Sequence, residues 1–439
     1  MTQITHPRAA ETPAGGTLRD WCVVLLLTGA MMFSLMDRIG IAVLIEPIKH
    51  SLKMDDASFG LLNGLAFGLF YSFMGLPFGW LADRWSRKGT ITLGIGIWSV
   101  ATASCGLAAS FWQLLFARLF VGAGEAGLAP AAYGIIHDRV GHRNLATAIS
   151  LLQIGSALGA GSALLVASYA YGILSRGAIG SWPLIGTLEP WQQTFVFLAL
   201  PGVFFVLAIP LIRDRRGTRP SRAKGSGGLS LVSALRLKGK LYLRLFAGMS
   251  AILVVNNSLL AWTPAILGRE FGWSPSETGV TYGTIVLICA PAGLLFGGWL
   301  CDFLARRQNP YAHSIIPLAA AIGGGLAAIW LPLATNPVVF LSVTALLQFC
   351  VALPIGVVPA YVQILTPAPA RSRVSAFYVL MVNLFGLGLA SVLIGGISAH
   401  FPNQPSALRL TVGYCSIVSF LAAILFLISL QKVAKSTDA

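Results

Sequence analysis

Residues Gly79–Lys88 read Gly-Trp-Leu-Ala-Asp-Arg-Trp-Ser-Arg-Lys, and a related segment, Gly298–Arg307, reads Gly-Trp-Leu-Cys-Asp-Phe-Leu-Ala-Arg-Arg. The two segments lie about half of the 439-residue chain apart, and each directly follows an apolar stretch long enough to cross a bilayer. A pattern that returns once per half of a chain indicates a duplicated unit. In polytopic membrane proteins, parallel repeats are typical of transporters that bind their cargo between the halves.

The composition predicts a chain whose solvent is the lipid bilayer. Hydrophobic residues make up 56% of it and charged residues only 10%, whereas soluble domains are about one quarter charged. Twelve continuous apolar runs each reach the roughly 20 residues that a helix needs to span the bilayer, and barrel strands would instead alternate polar and apolar residues. We predict an all-α polytopic membrane protein with twelve transmembrane helices in two pseudo-symmetric six-helix bundles.

These runs divide the chain into five parts. Residues 1–20 form an N-terminal tail, residues 21–212 the first six-helix bundle, residues 213–240 a basic linker rich in glycine and serine, residues 241–430 the second bundle, and residues 431–439 a C-terminal tail. A linker of this composition is flexible, and an anionic lipid surface would attract its charges.

The net charge of +15 follows the predicted topology. With the N-terminus placed in the cytoplasm, all lysines and arginines but seven fall in the tails and the even-numbered loops, which is the positive-inside pattern. Five of the seven lie on the opposite side and two within helices: Lys49, Lys53, Arg176, Arg269 and Arg409, then Arg38 and Arg118. We expect a multi-pass protein of a bacterial inner membrane with both termini cytoplasmic, and no nucleic-acid partner.

Four charged residues are predicted to lie within the bilayer: Asp37 and Arg38 in the first helix, Arg118 and Glu125 in the fourth. A charge inside a membrane is costly unless it is paired, so each one is a candidate functional group. Burial favours the protonated form of a carboxyl group, and a neighbouring arginine favours the ionised form. We predict that Asp37 and Glu125 are proton-coupling residues, with Glu125 the better candidate because Arg38 adjoins Asp37. The alternative is a static salt-bridge cluster between the two helices.

Gly122–Gly127 matches the dinucleotide-binding pattern Gly-x-Gly-x-x-Gly. That motif requires a preceding strand and a phosphate at a helix N-terminus, whereas here it lies inside an apolar helix. Small residues at this spacing indicate close helix packing instead.

The repeated loop supplies the candidate gating residues, which are Gly79, Asp83, Arg84, Arg87, Asp302 and Arg306. The glycines permit close packing at a helix end, and the aspartates can accept hydrogen bonds from helix amides or arginines. Topology explains the basic residues but not an aspartate repeated within a positive cluster. We therefore predict a role in packing or gating.

Neutral polar side chains at membrane depth characterise the second half. Together with Arg38 and Arg118, the substrate-binding candidates are Asn256, Asn257, Tyr378 and Asn383. Buried polar groups at this depth either cross-link helices or line a cavity, and both interpretations stay open.

Motifs of enzyme chemistry are absent from the sequence. It contains neither His-Glu-x-x-His nor Gly-x-x-x-x-Gly-Lys-Ser/Thr, and its six cysteines have no Cys-x-x-Cys spacing. We expect no enzymatic activity, no metal and no cofactor. The expected state is a monomer whose partners are membrane lipids, protons and its cargo.

Twelve apolar runs, a basic central linker and the doubled loop make residues 21–430 resemble the major facilitator superfamily. The family's loop motif, Gly-x-x-x-Asp-Arg-x-Gly-Arg-Arg/Lys, is matched within Gly79–Lys88 except at Ser86. Arg118-x-x-x-Gly122-x-Gly124 resembles the family motif in which an arginine is linked to proton transfer. The antiporter motif of the fifth helix needs a Gly-Pro pair that this chain lacks.

Within the superfamily, the chain resembles the spinster-like transporters. The resemblance rests on Met36–Arg38, Glu46–Lys49, Gly122–Ala126, Pro190–Phe195 and Leu200–Gly202. Relatives with these motifs move lysolipids, sphingoid phosphates and other amphipathic organic molecules. The resemblance implies a proton and substrate site formed by Asp37, Arg38, Arg118 and Glu125.

We therefore expect a proton-coupled secondary transporter that moves an amphipathic, anionic organic solute or lysolipid-type lipid by alternating access. Two alternatives stay open. One is a multidrug exporter of cationic compounds, for which Glu125 would be the cation acceptor, and the other is an uptake carrier for small organic acids.

Overall fold

All regular structure in the described part of the chain is helical. The computed structural model describes residues 17–177, 185–213, 231–309, 311–366, 371–401 and 404–437. Most of the predicted central linker and of the predicted N-terminal tail therefore lies outside the described residues.

Twelve helices follow one another along the described ranges. Numbered α1 to α12, they are Leu18–Leu52, Asp56–Ala82, Arg87–Cys105, Phe111–Val140, Ala148–Leu174, Pro190–Leu211, Lys238–Phe271, Pro275–Arg306, Ala312–Ala328, Pro337–Leu365, Phe377–Ser398 and Ala407–Ser429. Ten of them are long and apolar enough to cross a membrane, and α9 is a shorter apolar helix. α3 has 19 residues, enough for about 28 Å. The predicted all-α membrane fold is confirmed.

Short polar residues set where several helices begin. Ser86, Ser110 and Ser274 precede α3, α4 and α8, and each side chain accepts a hydrogen bond from a backbone amide of the first helical turn. Such caps satisfy amides that the helix itself leaves free. Asp55 has the same role at α2, and hydrogen bonds from Ser58 lower the pKa of its carboxyl group.

The connection between α4 and α5 is a sharp reversal. Helical hydrogen bonding is continuous over Leu128–Leu174. However, the hydroxyl oxygen of Tyr133 lies 3.3 Å from the side-chain oxygen of Gln153, and 20 residues of straight helix would place them about 30 Å apart. The chain therefore turns back between them, and α4 and α5 are antiparallel neighbours.

The helices pack as two bundles, α1–α6 and α7–α12. In the first bundle α1 packs on α5, and α3 packs on α4 and α6; in the second, α7 packs on α12, and α8 and α9 pack on α10. We call the side that carries the α2–α3 and α8–α9 loops the loop face. The opposite side, which carries the α1–α2 and α7–α8 connections, is the far face.

The largest contacts between the bundles are α2 with α11 and α5 with α8, and the end of α1 also contacts α7 and α8. A Cβ atom added at Gly60 of α2 would lie 2.3 Å from the carbonyl oxygen of Ser391 on α11, so the two backbones nearly touch. The hydroxyl group of Ser168 on α5 donates to the carbonyl oxygen of Pro275 on α8 over 3.0 Å. Both contacts lie near the far face, at which the described parts of the two bundles are closed against each other.

α2 and α11 each contain a π-helical segment, Leu61–Ala66 and Val382–Gly388. The two segments contact each other across the bundle interface. π-helical turns are rare, and those that occur are often found at functional sites. The interface of α2 and α11 is therefore a candidate functional region.

Candidate functional site

Asp37 connects three helices of the first bundle. It lies in α1 and is fully buried. The hydroxyl group of Thr102, on α3, donates to Oδ2 of Asp37 over 3.1 Å. Nη1 of Arg118, on α4, donates to the backbone carbonyl oxygen of Asp37 over 3.3 Å. The acidic side chain therefore sits where α1, α3 and α4 meet.

Glu125 is the second buried carboxyl group of this site, with 2% of its surface exposed. Its side chain has a hydrogen-bonding contact with Ser34 and lies within electrostatic range of Arg38, both on α1. It also interacts electrostatically with Asp37. The structure therefore brings the two proton-coupling candidates into one site.

The reason for ranking Glu125 above Asp37 does not hold in this geometry. Sequence adjacency places Arg38 beside Asp37, but consecutive helical residues do not face each other. The charged neighbours of Asp37 are Glu125 and Arg118, whereas Arg38 acts on Glu125. The ranking of Glu125 above Asp37 therefore stays a prediction without this support.

Both arginines of the site rest on aromatic rings. Cζ of Arg38 lies 4.6 Å from the ring centroid of Phe67 and 5.5 Å from that of Tyr71. Cζ of Arg118 lies 5.1 Å from the ring centroid of Phe195. A cation–π contact stabilises a guanidinium group and leaves its N–H donors free. Arg38 is half-buried and Arg118 is buried, so Arg38 is the more accessible donor.

Several polar atoms of the site have no hydrogen-bond partner among the described residues. They are Oδ1 of Asp37, Oε1 of Glu125, and Nε and Nη2 of Arg118. Within the described ranges, no ion pair of 4.0 Å or less joins any two of the four candidate charges. An unpaired buried polar group costs about 1–3 kcal/mol. The arrangement is not a closed set of salt bridges, and it leaves acceptors and donors free for a proton, water or an anion.

The first copy of the repeated loop is anchored by Arg87. Its Nη1 atom donates to the backbone carbonyl oxygen of Gly134 over 2.7 Å, and its guanidinium group pairs with Asp138. Both partners lie on α4, so the loop is tied to a second helix of its own bundle. Arg84 is exposed. The side chain of Asp83 lies outside the described part of the chain.

The second copy of the loop is more open. Asp302 and Arg306 are exposed, and Asp302 lies within electrostatic range of His313 on α9. A Cβ atom added at Gly79 or Gly298 would meet nothing within 4 Å. The predicted close packing at these glycines is absent from this state, and it stays a prediction for a state in which the loop face is closed.

The four neutral candidates of the second bundle have separate surroundings. Nδ2 of Asn257, on α7, donates to the carbonyl oxygen of Gly386, on α11, over 3.2 Å. Asn257 therefore cross-links two helices at the π-helical segment of α11. The side-chain amide of Asn383 donates within its own helix over 3.0 Å. Tyr378 is buried and Asn256 half-buried.

A cluster of charges at the far face joins the two bundles. Nη1 and Nη2 of Arg269, at the end of α7, donate to Oδ2 and Oδ1 of Asp56, at the start of α2, over 2.7 and 2.6 Å. Nε of Arg269 donates to Oε1 of Glu46 over 2.6 Å. Lys49 pairs with Asp56, and the hydroxyl group of Ser398 on α11 donates to Oδ2 of Asp56 over 2.8 Å. We call these five residues the far-face latch.

No local sequence pattern predicts that the five latch residues contact one another. Lys49 and Arg269 stand out only as exceptions to the positive-inside pattern, and Asp56 is one acidic residue near a helix start. The sequence feature that could have indicated them is the presence of lysine and arginine on the side where these residues are rare, together with acidic residues predicted to lie on that same side. Their pairing depends on how the end of α1 and the start of α2 pack against α7 and α11, which no spacing along the chain encodes.

The chain matches the Major Facilitator Superfamily over residues 27–391. That range covers most of the chain and contains all four intramembrane charges. The chain belongs to the major facilitator superfamily. It is therefore a membrane transporter of that superfamily, and its spinster-like motifs agree with its relatives.

Two curated relatives describe its position in the superfamily. The chain is 29% identical to an MFS-type efflux pump of Mycolicibacterium smegmatis over 297 residues, which are 67% of this chain and 65% of that protein. It is 23% identical to the protein spinster of Drosophila melanogaster over 413 residues, which are 89% of this chain and 65% of that protein. The aligned part thus spans about two thirds of the length of each relative.

A solved structure supports both the fold and the spinster-like resemblance. It is the crystal structure of a bacterial homologue of the human lysosomal transporter spinster, in an inward-facing and occupied conformation. The two proteins superimpose with a TM-score of 0.78 at 25% identity, over 95% of this chain and 96% of that one. The predicted spinster-like branch is therefore confirmed.

Proposed function

We propose that this superfamily member is a proton-coupled secondary transporter that moves an amphipathic, anionic organic solute or a lysolipid-type lipid by alternating access. In this proposal Asp37 and Glu125 exchange protons, and Arg38 and Arg118 bind the anionic group of the cargo. The protein acts as a monomer in a bacterial inner membrane. Its loop face and both termini are cytoplasmic, because the tails and the loops of that face carry most of the lysines and arginines.

The observation that carries the proposal is the set of unpaired polar atoms in the buried site. Oδ1 of Asp37, Oε1 of Glu125 and two nitrogens of Arg118 lack partners among the described residues. A proton bound to a carboxyl group removes its charge, and an anionic cargo supplies acceptors for the guanidinium group. Because a protonated carboxyl group no longer competes for the arginine, protonation and anion binding favour each other. Such a coupling free energy is what links two transported species.

The far-face latch supports alternating access. It joins α1 and α2 of the first bundle to α7 and α11 of the second, so the far face opens only if its ion pairs break. A state closed at the far face is not outward-facing when the loop face is cytoplasmic. The spinster homologue with a similar fold is inward-facing. Rocking of the two bundles about a central site is the common cycle of such transporters.

The surroundings of Arg38 support an amphipathic anion as the cargo. Its half-buried guanidinium group lies against the rings of Phe67 and Tyr71. A phosphate or carboxylate group can bind such a guanidinium group through two parallel hydrogen bonds. The aromatic rings beside it offer apolar surface to the hydrocarbon part of the same molecule.

Export of cationic compounds is the second candidate function, and one comparison favours it. The similar protein of Mycolicibacterium smegmatis is an efflux pump. In that case the unpaired Oε1 atom of Glu125 accepts the cation, and release of a proton from the same carboxyl group prepares the site.

Transport by purified protein in liposomes separates the two candidates. The panel contains anionic lysophospholipids, small organic acids and lipophilic cationic dyes, each measured with and without an imposed pH gradient. The proposal expects accumulation of the anionic amphiphiles that depends on the pH gradient. Accumulation of the dyes alone supports cation export, and accumulation of any cargo at the same rate without the gradient contradicts proton coupling.

A further inference from the structure

We propose that the outer surface of α3 and α4 binds an anionic phospholipid. One acyl chain lies in a groove between the two helices, and the phosphate group lies at a basic corner of the loop face. This lipid site is separate from the proposed cargo site and does not depend on the proposed function.

The groove is an apolar depression of about 890 Å³ along α3 and α4. Large side chains beside it are exposed, with exposed fractions of 69% for Val100 and 58% for Phe116. A Cβ atom added at Gly96, which also lines the groove, would meet nothing within 4 Å. An apolar surface of this kind marks a contact with another apolar body.

The polar residues of the groove are already satisfied. The hydroxyl groups of Thr92 and Ser104 donate to backbone carbonyl oxygens of α3 over 2.9 and 2.8 Å. The side-chain oxygen of Gln113 accepts from the backbone amide of Ala109 over 2.7 Å. The groove therefore presents mainly hydrocarbon to its occupant, with both of its hydroxyl groups bonded to the backbone of α3.

The dimensions of the groove suit an acyl chain. Along α3 it runs from Thr92 to Ser104, which is about 18 Å at 1.5 Å per residue. One leaflet of the hydrocarbon core is about 15 Å deep, half of the whole core. A chain anchored at the loop face therefore lies along the groove without reaching its far end.

The loop-face end of the groove adjoins a cleft with unbalanced positive charge. Lys88 lies one helical turn before Thr92, whose hydroxyl group donates to the carbonyl oxygen of Lys88. Nζ of Lys88 donates to the backbone carbonyl oxygens of Pro210 and Ile212 over 3.2 and 3.1 Å. Arg213 lines the same cleft and is exposed. Among the described residues, no carboxylate pairs with Lys88 or Arg213.

The other two basic residues of the cleft are neutralised. Arg87 pairs with Asp138, and Arg139 pairs with Asp20 over 3.0 Å. The first turn of α3 also places the positive end of the helix dipole at this corner. Lys88 and Arg213 therefore provide the net charge that an anion can bind.

Charge complementarity selects the occupant. A phosphodiester group carries negative charge and hydrogen-bond acceptors, which match the two uncompensated cations. A second copy of this chain would bring the same positive cleft to a symmetric interface, where like charges repel. The combination of an acyl-sized groove with a basic corner one helical turn away fits one molecule, an anionic phospholipid of the loop-face leaflet.

The experiment measures phospholipid that stays bound to detergent-purified protein, by native mass spectrometry with phosphatidylglycerol and phosphatidylethanolamine added at equal concentration. The wild type is expected to retain phosphatidylglycerol. The double variant Lys88→Gln/Arg213→Gln is expected to retain it about 25-fold less well, at about fivefold for each cation near an anionic lipid. Lys53→Gln/Arg176→Gln, which removes two exposed far-face cations, is the matched control and is expected to behave as the wild type.

A second pair of variants tests the groove itself. Gly96→Phe fills the groove and is expected to weaken retention about tenfold, as for about two lost methylene contacts. Gly396→Phe is the control, because a Cβ atom there also meets nothing within 4 Å but lies on α11. Equal retention of both lipids by the wild type, or unchanged retention in Gly96→Phe, would overturn the proposal. A dimer that Gly96→Phe dissociates, in protein that retains no phosphatidylglycerol, would assign the groove to a second copy.

Discussion

Asp37 and Glu125 lie in one buried site but have different neighbours. Asp37 accepts a hydrogen bond from the hydroxyl group of Thr102 and lies beside Arg118. Glu125 contacts Ser34 and lies within electrostatic range of Arg38. Each carboxyl group therefore lies beside a hydroxyl-bearing side chain, and Arg118 acts on both. This arrangement suits a cycle in which a proton on either carboxyl group frees an arginine for the cargo.

Neutralising either carboxyl group is expected to abolish accumulation of the cargo but not its exchange across the membrane. Asp37→Asn and Glu125→Gln keep the size of the side chain but cannot release a proton. We expect both variants to lose pH-gradient-driven uptake to background while they still exchange labelled for unlabelled anionic lysophospholipid without a gradient. The measurement is uptake and counterflow in liposomes.

Glu277→Gln is the matched control for this pair. Glu277 caps α8 through a hydrogen bond with Ser274, and glutamine keeps such a capping interaction. Its uptake is expected to equal that of the wild type. Full gradient-driven uptake by both Asp37→Asn and Glu125→Gln would contradict the assigned proton role.

The charges of the site could be predicted from the sequence, but their partners could not. Asp37, Arg38, Arg118 and Glu125 stand out because charge is rare in apolar runs. Thr102 does not stand out, because a hydroxyl group in a membrane helix usually bonds to its own backbone. The ranking of the two carboxyl groups stays a prediction, but its reason is not met, because Arg38 acts on Glu125 and not on its sequence neighbour.

At the scale of helices, α2 and α11 make a close contact between the two bundles, and both helices are irregular there. Both helices carry a π-helical segment at the interface. Gly60 lies one residue before the first segment, and its missing side chain lets the backbone of Ser391 approach. The interface is therefore specified by glycine on one side and by an irregular helix on both.

Gly60→Ala is expected to weaken closure of the far face. Its added methyl carbon would lie 2.3 Å from the carbonyl oxygen of Ser391, so the backbones must separate. Distances between spin labels at Lys53 and His400 are expected to lengthen in the variant. Gly75→Ala, on the same helix but facing open space, is the control and should leave the distances unchanged; equal distances in both variants would contradict the assigned role.

Helix positions were predictable, whereas helix contacts were less so. Long apolar runs identify membrane helices because lipid requires every backbone group to be bonded within the segment. The reversal between α4 and α5 and the two π-helical segments leave no comparable mark, since each depends on how neighbouring helices pack. Glycines indicate some of the close helix contacts. Glycine is common in membrane helices in general, however, and among the described residues no neighbouring helix lies close to Gly79 or Gly298.

For the whole molecule, the far-face latch joins the two bundles on the side where they contact each other. Asp56 is 4% exposed, and its carboxylate accepts hydrogen bonds from Lys49, Arg269 and Ser398. Removing one partner of a buried ion pair costs about 3–5 kcal/mol. A loss of that size shifts a two-state equilibrium by more than about a hundredfold, enough to change the resting state of the transporter.

Asp56→Asn is therefore expected to open the far face. The spin-label distance between Lys53 and His400 should shift to a longer population, and the exchanged pair Asp56→Arg/Arg269→Asp should restore part of the short one. Glu189→Gln neutralises a far-face carboxylate that bonds only within the first bundle, so it should leave the distance unchanged. A short distance retained in Asp56→Asn would show that the latch does not hold the face closed.

The central claim is that cargo and protons cross the membrane together through the site of Asp37 and Glu125. The most direct measurement is the internal pH of liposomes that contain the purified protein and a trapped pH dye. An anionic lysophospholipid gradient is imposed with no initial pH difference. We expect a pH change with the wild type and none with Glu125→Gln, whereas cargo movement by the wild type at a steady internal pH would contradict proton coupling.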